Sequence, residues 1–168
     1  EGVSEVEGVA PLAAEIAPVV VLDTGLNEAE VNILGYAGEW MNGFDRLEDK
    51  QGRILSLSTL APGQVYISSE LANELDVDSN DTVYTYLEST SAVLEVVGIY
   101  QKGANPSGKF SLVMPLPQLQ TLTDNEGKIN SIMITNRGDA IQGAQHTETV
   151  LSSLEPLLEG SGLEADPV

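Results

Sequence analysis

The 168-residue chain contains no cysteine. That one absence excludes disulfides, thiol nucleophiles and thiolate-held zinc, while leaving the redox compartment open. Bases are scarce too: seven Lys and Arg stand against 26 Asp and Glu, for a formal net charge of -19. A surface this negative repels phosphate backbones and anionic headgroups, which argues against nucleic-acid binding and adsorption to a membrane surface. It suits solubility, a cationic partner, or life in high salt. Aromatics are few, with one Trp and two Phe, so the core must be aliphatic and β-branched, as in a strand-rich α/β or α+β protein. No apolar run approaches the roughly 18 residues of a spanning helix, and Glu1 opens no charged-then-apolar leader pattern. The length allows one domain or two small lobes with a real core.

Along the chain, the apolar run 9–24, interrupted by Pro11 and Pro18, predicts a strand bent near a proline. Residues 30–36 predict its hairpin partner, with the turn at Asn27-Glu28. Residues 38–44 form a short irregular or helical piece, and 45–60 read as a polar surface loop centred on Gly52-Arg53. A turn and strand follow at 62–68, then a two-turn helix at 69–75. Ser68 is placed to cap that helix, Glu70 complements its dipole, and Leu71, Ala72 and Leu75 supply its apolar face. Residues 82–87 and 93–100 predict strands, the second apolar on nearly both faces like a central strand. A strand at 110–114 precedes a helix opened by Pro115, with a Leu116, Leu119 and Leu122 stripe. Alternation over 130–135 points Ile132 and Ile134 inward. The last helix, 139–158, turns Ile141, Ala144, Leu151 and Leu154 inward, and Pro156 should kink or stop it.

Several short motifs invite a chemical reading. Gly103-Ala104-Asn105-Pro106-Ser107-Gly108-Lys109 matches the first seven positions of a phosphate-binding loop. Its eighth is Phe110, where magnesium needs a hydroxyl, and a strand rather than a helix follows, so a connector is the better reading. Asp76, Asp78 and Asn80 fit the first, third and fifth positions of a calcium loop, but Asp81 stands where the sharp turn needs Gly and Leu87 where Glu is needed. His146, the only histidine, lies near Asp139 and Glu148 and could be joined on paper to Ser107. No nucleophile elbow accompanies them. Arg137-Gly138-Asp139 has the spelling of an adhesion tripeptide but is explained by a strand-to-helix turn, with Asp139 as cap. No catalytic, cofactor or metal set emerges. Trp40, Met41 and Phe44 are either the aromatic anchor of the core or an exposed tip for contacting a partner.

The ordered series Val6-Glu7-Gly8-Val9-Ala10-Pro11, Gly52-Arg53, Leu71-Ala72-Asn73-Glu74-Leu75, Asp81-Thr82-Val83, Val96-Val97-Gly98-Ile99, Pro115-Leu116-Pro117-Gln118-Leu119-Gln120 and Ile132-Met133-Ile134 resembles the extracytoplasmic domain of FtsX-like ABC transporter permeases, with their MacB-type periplasmic core domain. Asn80 replaces the family's usual Gly before Asp81 and tolerates the same left-handed turn. The resemblance implies a two-lobed α+β fold. A porter-like α/β lobe would be built from both termini, 1–37 and 107–168, with a small α/β lobe, 38–106, inserted between them. It also implies flanking membrane helices in the same polypeptide, a place on the extracytoplasmic side of the cell membrane, and a cytoplasmic ATPase partner. A second permease copy or an extracytoplasmic protein would be further partners. The domain would couple ATP hydrolysis to export, to lipid or lipoprotein extraction, or to signalling. The competing reading is a free-standing extracellular module that binds a cation, glycan or protein.

Overall fold

The computed structural model describes residues 3–22, 27–38, 44–87, 90–103 and 109–165. They form strands β1 (Val6–Val21), β2 (Asn27–Tyr36), β3 (Gln64–Ser68), β4 (Thr82–Leu87), β5 (Thr90–Tyr100), β6 (Ser111–Pro115) and β7 (Ser131–Asn136). Three helices, α1 (Ser69–Leu75), α2 (Leu116–Leu122) and α3 (Ala140–Leu158), accompany them. All seven strands join one sheet in the order β2-β6-β3-β5-β4-β1-β7, and a further β1–β2 pairing closes six of them into a ring. β7 hangs on β1 as the edge strand.

The length of β1 makes this possible. Sixteen residues span about 50 Å, too long for one short partner. Its first half pairs with β7, from Val6 opposite Asn136 to Leu12 opposite Ser131. Its second half pairs with β2 on one edge and, at Val19 and Val20, with β4 on the other. Between these two ladders, side chains substitute for a missing strand. Asn130 accepts from the Ala14 amide and donates to the Ala14 carbonyl, while Thr85 Oγ1 donates to the Pro18 carbonyl. Proline has no N–H to offer there, so a carbonyl-only partner costs the ladder nothing.

Two apolar layers result. The inner face of the ring packs Val19, Val31, Ile33, Val65, Ile67, Val83, Leu94, Val96, Leu112 and Met114 against Leu71 and Leu75 of α1 and Leu116 and Leu119 of α2. Ser68 caps α1 by accepting from the Leu71 amide, and Asp76 ends the helix in the left-handed conformation, φ 56. A second cluster covers part of the outer face, where Leu34, Tyr36, Tyr66, Tyr100 and Val113 meet Leu47 and Leu57. The segment 45–60, expected as a surface loop, is therefore a cover strapped across the sheet, with Leu47 only 2% exposed.

β3, β4 and β5 fall in the 38–106 segment expected as an inserted lobe, and they share one sheet with strands from both terminal segments. β3 bonds to β6 and β4 to β1, and the inner core draws on both assigned segments. An isolated three-stranded sheet would expose two bare edges, and pairing with the terminal strands satisfies both. The β1–β2 hairpin is present, but its last pair is Val21 with Asn27, so Asn27 and Glu28 lie inside β2. The intervening residues 23–26 fall outside the described ones. On β7, Ile132 is 51% exposed, whereas Met133 packs on the outer-face cluster. On α3, Ile141 and Ala144 are exposed. The buried positions are Gly143 and Val150, and the helix continues through Pro156 to Leu158.

Candidate functional site

Of the three residues expected to contact a partner, Trp40 and Met41 lie outside the described residues, while Phe44 is half-buried where the covering segment begins. A shallow cleft of about 200 Å³ opens along that segment, lined by Gly38, Arg46, Leu47, Ile54, Leu57 and Ser58. Ile54 is 54% exposed at its rim.

The Gly52-Arg53 motif proves architectural. Asp49 Oδ1 accepts from the Gln51 and Arg53 amides, Asp49 Oδ2 accepts from Arg53 Nε at 2.6 Å, and the Asp49 and Arg53 backbones bond to each other. Gly52 takes φ +74 to close the turn. Burial raises the Asp49 pKa, but the hydrogen bonds from Arg53 and Gln51 and the guanidinium charge outweigh it, so the carboxyl sits below its ordinary value. Behind this turn lies a polar cleft of about 390 Å³, lined among others by Arg53, Asn73, Asp78 and Gln101. Glu48 ties the turn to the end of β5 through a bridge to Lys102.

The buried polar side chains are all engaged in holding elements together. Ser68 Oγ accepts from the Leu71 and Ser111 amides and donates to the Lys109 carbonyl. Tyr100 and Ser111 share a hydroxyl–hydroxyl bond, Thr85 reaches Pro18, and Gln120 donates to the Lys128 carbonyl. Burial raises the Tyr36 pKa, and the neighbouring Tyr100 adds to the effect. Burial pushes Tyr100 up to about 12 despite the bond to Ser111. Among the described residues no buried side-chain polar atom lacks a partner.

The described residues of the chemical motifs have structural roles. Residues 104–108 of the 103–109 loop are outside the described ones, and Lys109-Phe110 leads directly into β6. In the 76–81 turn, Asp81 Oδ2 is spent on the Asp78 amide and Asn80 adopts φ 78. Asp139 caps α3, its Oδ1 accepting from the Ile141 and Gln142 amides. Gly138, at φ 107, makes the turn before it. Among the described residues no cluster of three or more His, Asp or Glu is placed to hold a metal, and no helix is long and apolar enough to cross a membrane.

The feature that sequence reasoning missed lies on the uncovered outer face. Register sets Val20 beside Tyr84 and Tyr84 beside Val93, one row across β1, β4 and β5 in which Val20 is buried and Tyr84 half-buried. Tyr86 and Val93 are 52% and 62% exposed. The alternation of Tyr84 and Tyr86 with buried Val83, Thr85 and Leu87 was the available signal.

No protein-family model and no curated sequence matches the chain. Solved structures do. The extracellular domain of the noncanonic ABC-type transporter YknZ from Gram-positive bacteria superposes with a TM-score of 0.55 at 16% identity, over 97% of this chain and 80% of that one. The periplasmic region of MacB from Actinobacillus actinomycetemcomitans gives 0.54 at 15% identity, over 92% of this chain and 69% of that one. The resemblance carried by the ordered motifs is thus matched in three dimensions: this chain has the fold of the extracytoplasmic domains of ABC-type transporter permeases.

Proposed function

We propose that the chain is the extracytoplasmic domain of an ABC transporter permease, and that it transmits conformational change without bond chemistry of its own. The parent polypeptide would supply flanking membrane helices, and a cytoplasmic ATPase would supply the energy. The domain would couple that energy to export, to lipid or lipoprotein extraction, or to signalling across the membrane. The observation that supports this most is the fold likeness across 97% of the chain, from the first strand to the last helix. A second observation agrees with it. Asp49, Ser68, Thr85, Ser111 and Gln120, the buried polar residues, are each committed to a structural bond, and structural bonds suit a stiff relay.

The test is to replace residues 3–165 in the full-length permease with a short Gly/Ser linker. ATP hydrolysis by the assembled complex should persist while its transport or signalling output is lost. Undiminished output without the domain would overturn the proposal.

A further inference from the structure

We propose that the outer face of β1, β4 and β5 is a docking surface for a cationic, aliphatic segment of a protein partner. The inference stands on this face alone and does not depend on the permease reading.

Alternation places the face. Val19, Val83, Leu87, Ala92 and Leu94 point into the ring core, so Tyr84, Tyr86 and Val93 take the opposite face, with Val20 beside Tyr84 but only 6% exposed. The row Glu28–Val20–Tyr84–Val93 runs across four strands in direct register. Tyr86 stands beside it opposite Ser91, and Ile16, 69% exposed, lies two residues before Pro18 on β1. The covering segment 45–60 protects the other part of the outer face, packing on Tyr36, Tyr66 and Tyr100. Beyond it, Tyr84 is half-buried and Tyr86 and Val93 are exposed. Scattered exposed apolar residues need no explanation, but a register-aligned row on a sheet does.

Charge selects the occupant. β1, β2, β4 and β5 contain no Lys or Arg; the seven bases are Arg46, Lys50, Arg53, Lys102, Lys109, Lys128 and Arg137. Exposed Glu28 and Glu30 flank the row on the β2 side, and exposed Glu95 lies on the β5 side. Tyrosine rings offer large, stiff contact area to aliphatic chains and an electronegative face to ammonium or guanidinium groups. An acidic rim around an aromatic–aliphatic centre therefore complements alternating cationic and aliphatic side chains. Anionic headgroups are repelled by the same rim, and a second copy, itself at -19, is repelled as a whole.

The test titrates the isotope-labelled domain with a synthetic peptide of alternating lysine and leucine, followed by amide chemical shifts. Glutamate–leucine and lysine–serine peptides serve as controls. Saturable binding is expected for the lysine–leucine peptide, with the largest shifts at Tyr84, Tyr86 and Val93. Both controls should bind at least about tenfold more weakly. The double substitution Tyr86→Thr, Val93→Thr, which keeps strand-forming residues, should weaken binding about tenfold with the unfolding transition unchanged. Glu28→Lys with Glu30→Lys tests the rim separately, leaving the apolar row intact, and should also weaken binding about tenfold. Equal affinity in either variant, shifts spread over the whole acidic surface, no binding, or sedimentation showing self-association through this face would each overturn the proposal.

Discussion

Ser68→Ala is the sharpest probe of how the elements are tied together. The hydroxyl is 4% exposed and accepts from the Leu71 amide at 3.3 Å and from the Ser111 amide at 3.2 Å, while donating to the Lys109 carbonyl at 3.2 Å. It thus caps α1 and ties the end of β3 to the start of β6 with one oxygen. Losing the cap costs about 1 kcal/mol. Stranding the Ser111 amide without a partner costs about 1–3 kcal/mol more. The sum, about 2–4 kcal/mol, corresponds to a fall in Tm of roughly 10 °C for a chain of this size. Urea unfolding followed by circular dichroism should show a lower midpoint at unchanged m. Ser68→Thr, which keeps the hydroxyl, should lose less. Ser152→Ala on the exposed side of α3 should stay within about 0.5 kcal/mol. A Ser68→Ala loss below about 0.5 kcal/mol would refute the role assigned to the hydroxyl.

A methyl at Gly35 would sit 3.0 Å from Leu119 Cβ and 3.2 Å from Leu116 Cα, so Gly35→Ala should destabilise by about 1–3 kcal/mol in the same assay by pushing α2 off β2; a neutral result would show that α2 is loosely seated. The folded-state pKa of Asp49 is lowered below its unfolded value near 3.9, so its contribution is complete above that value and is lost as pH falls through the folded one. The stability gap between wild type and Asp49→Asn should accordingly shrink on acidification, and a gap that persists at the acid end would assign Asp49 to packing alone. Tyr100 is pushed up to about 12, above the unfolded value near 10, so its contribution is complete below pH 10 and lost as pH rises towards 12. Tyrosinate absorbance should show late-titrating residues, with stability falling over that window; stability constant from pH 10 to 12 would contradict the burial of this phenol.

Local signals were legible wherever a residue acts on its own neighbours. Ser68 as cap, Asn80 as a left-handed turn residue, Pro115 before α2 and the Leu116–Leu119 stripe depend on contacts a few residues apart, and all stand in the structure. What depends on distant pairing was not legible. Asn27 looks like a turn residue, yet its side chain donates to the Leu75 carbonyl at the end of α1. Ile132 and Ile134 alternate correctly, but alternation does not say which face is covered, and here Met133 meets the outer-face cluster. The orientation of α3 is set by Asn136, which donates to the Gly143 carbonyl and to Thr147 Oγ1, a polar contact invisible to apolar periodicity. Leu47 sits singly among polar residues and Leu57 in the short run Ile54-Leu55-Ser56-Leu57 beside the turn-forming Gly52-Arg53, so their segment read as loop. The outer-face row exists only once β1, β4 and β5 lie side by side. That is why no chemistry-bearing motif in the sequence pointed to it.

The direct measurement of conformational transmission is a distance in the assembled transporter. The 168 residues hold no cysteine, so Ser58→Cys on the covering segment and Ser152→Cys on α3, both exposed positions, are the only thiols of this domain to label, any cysteine elsewhere in the transporter being replaced first. α3 packs on the edge strand β7, whereas Ser58 rides on the closed ring, so the pair reports the helix against the ring. The interlabel distance should change between the nucleotide-free and ATP-bound complex, and should not respond to ATP in the isolated domain. One unchanged distance distribution through all nucleotide states, with transport intact, would contradict transmission by this domain.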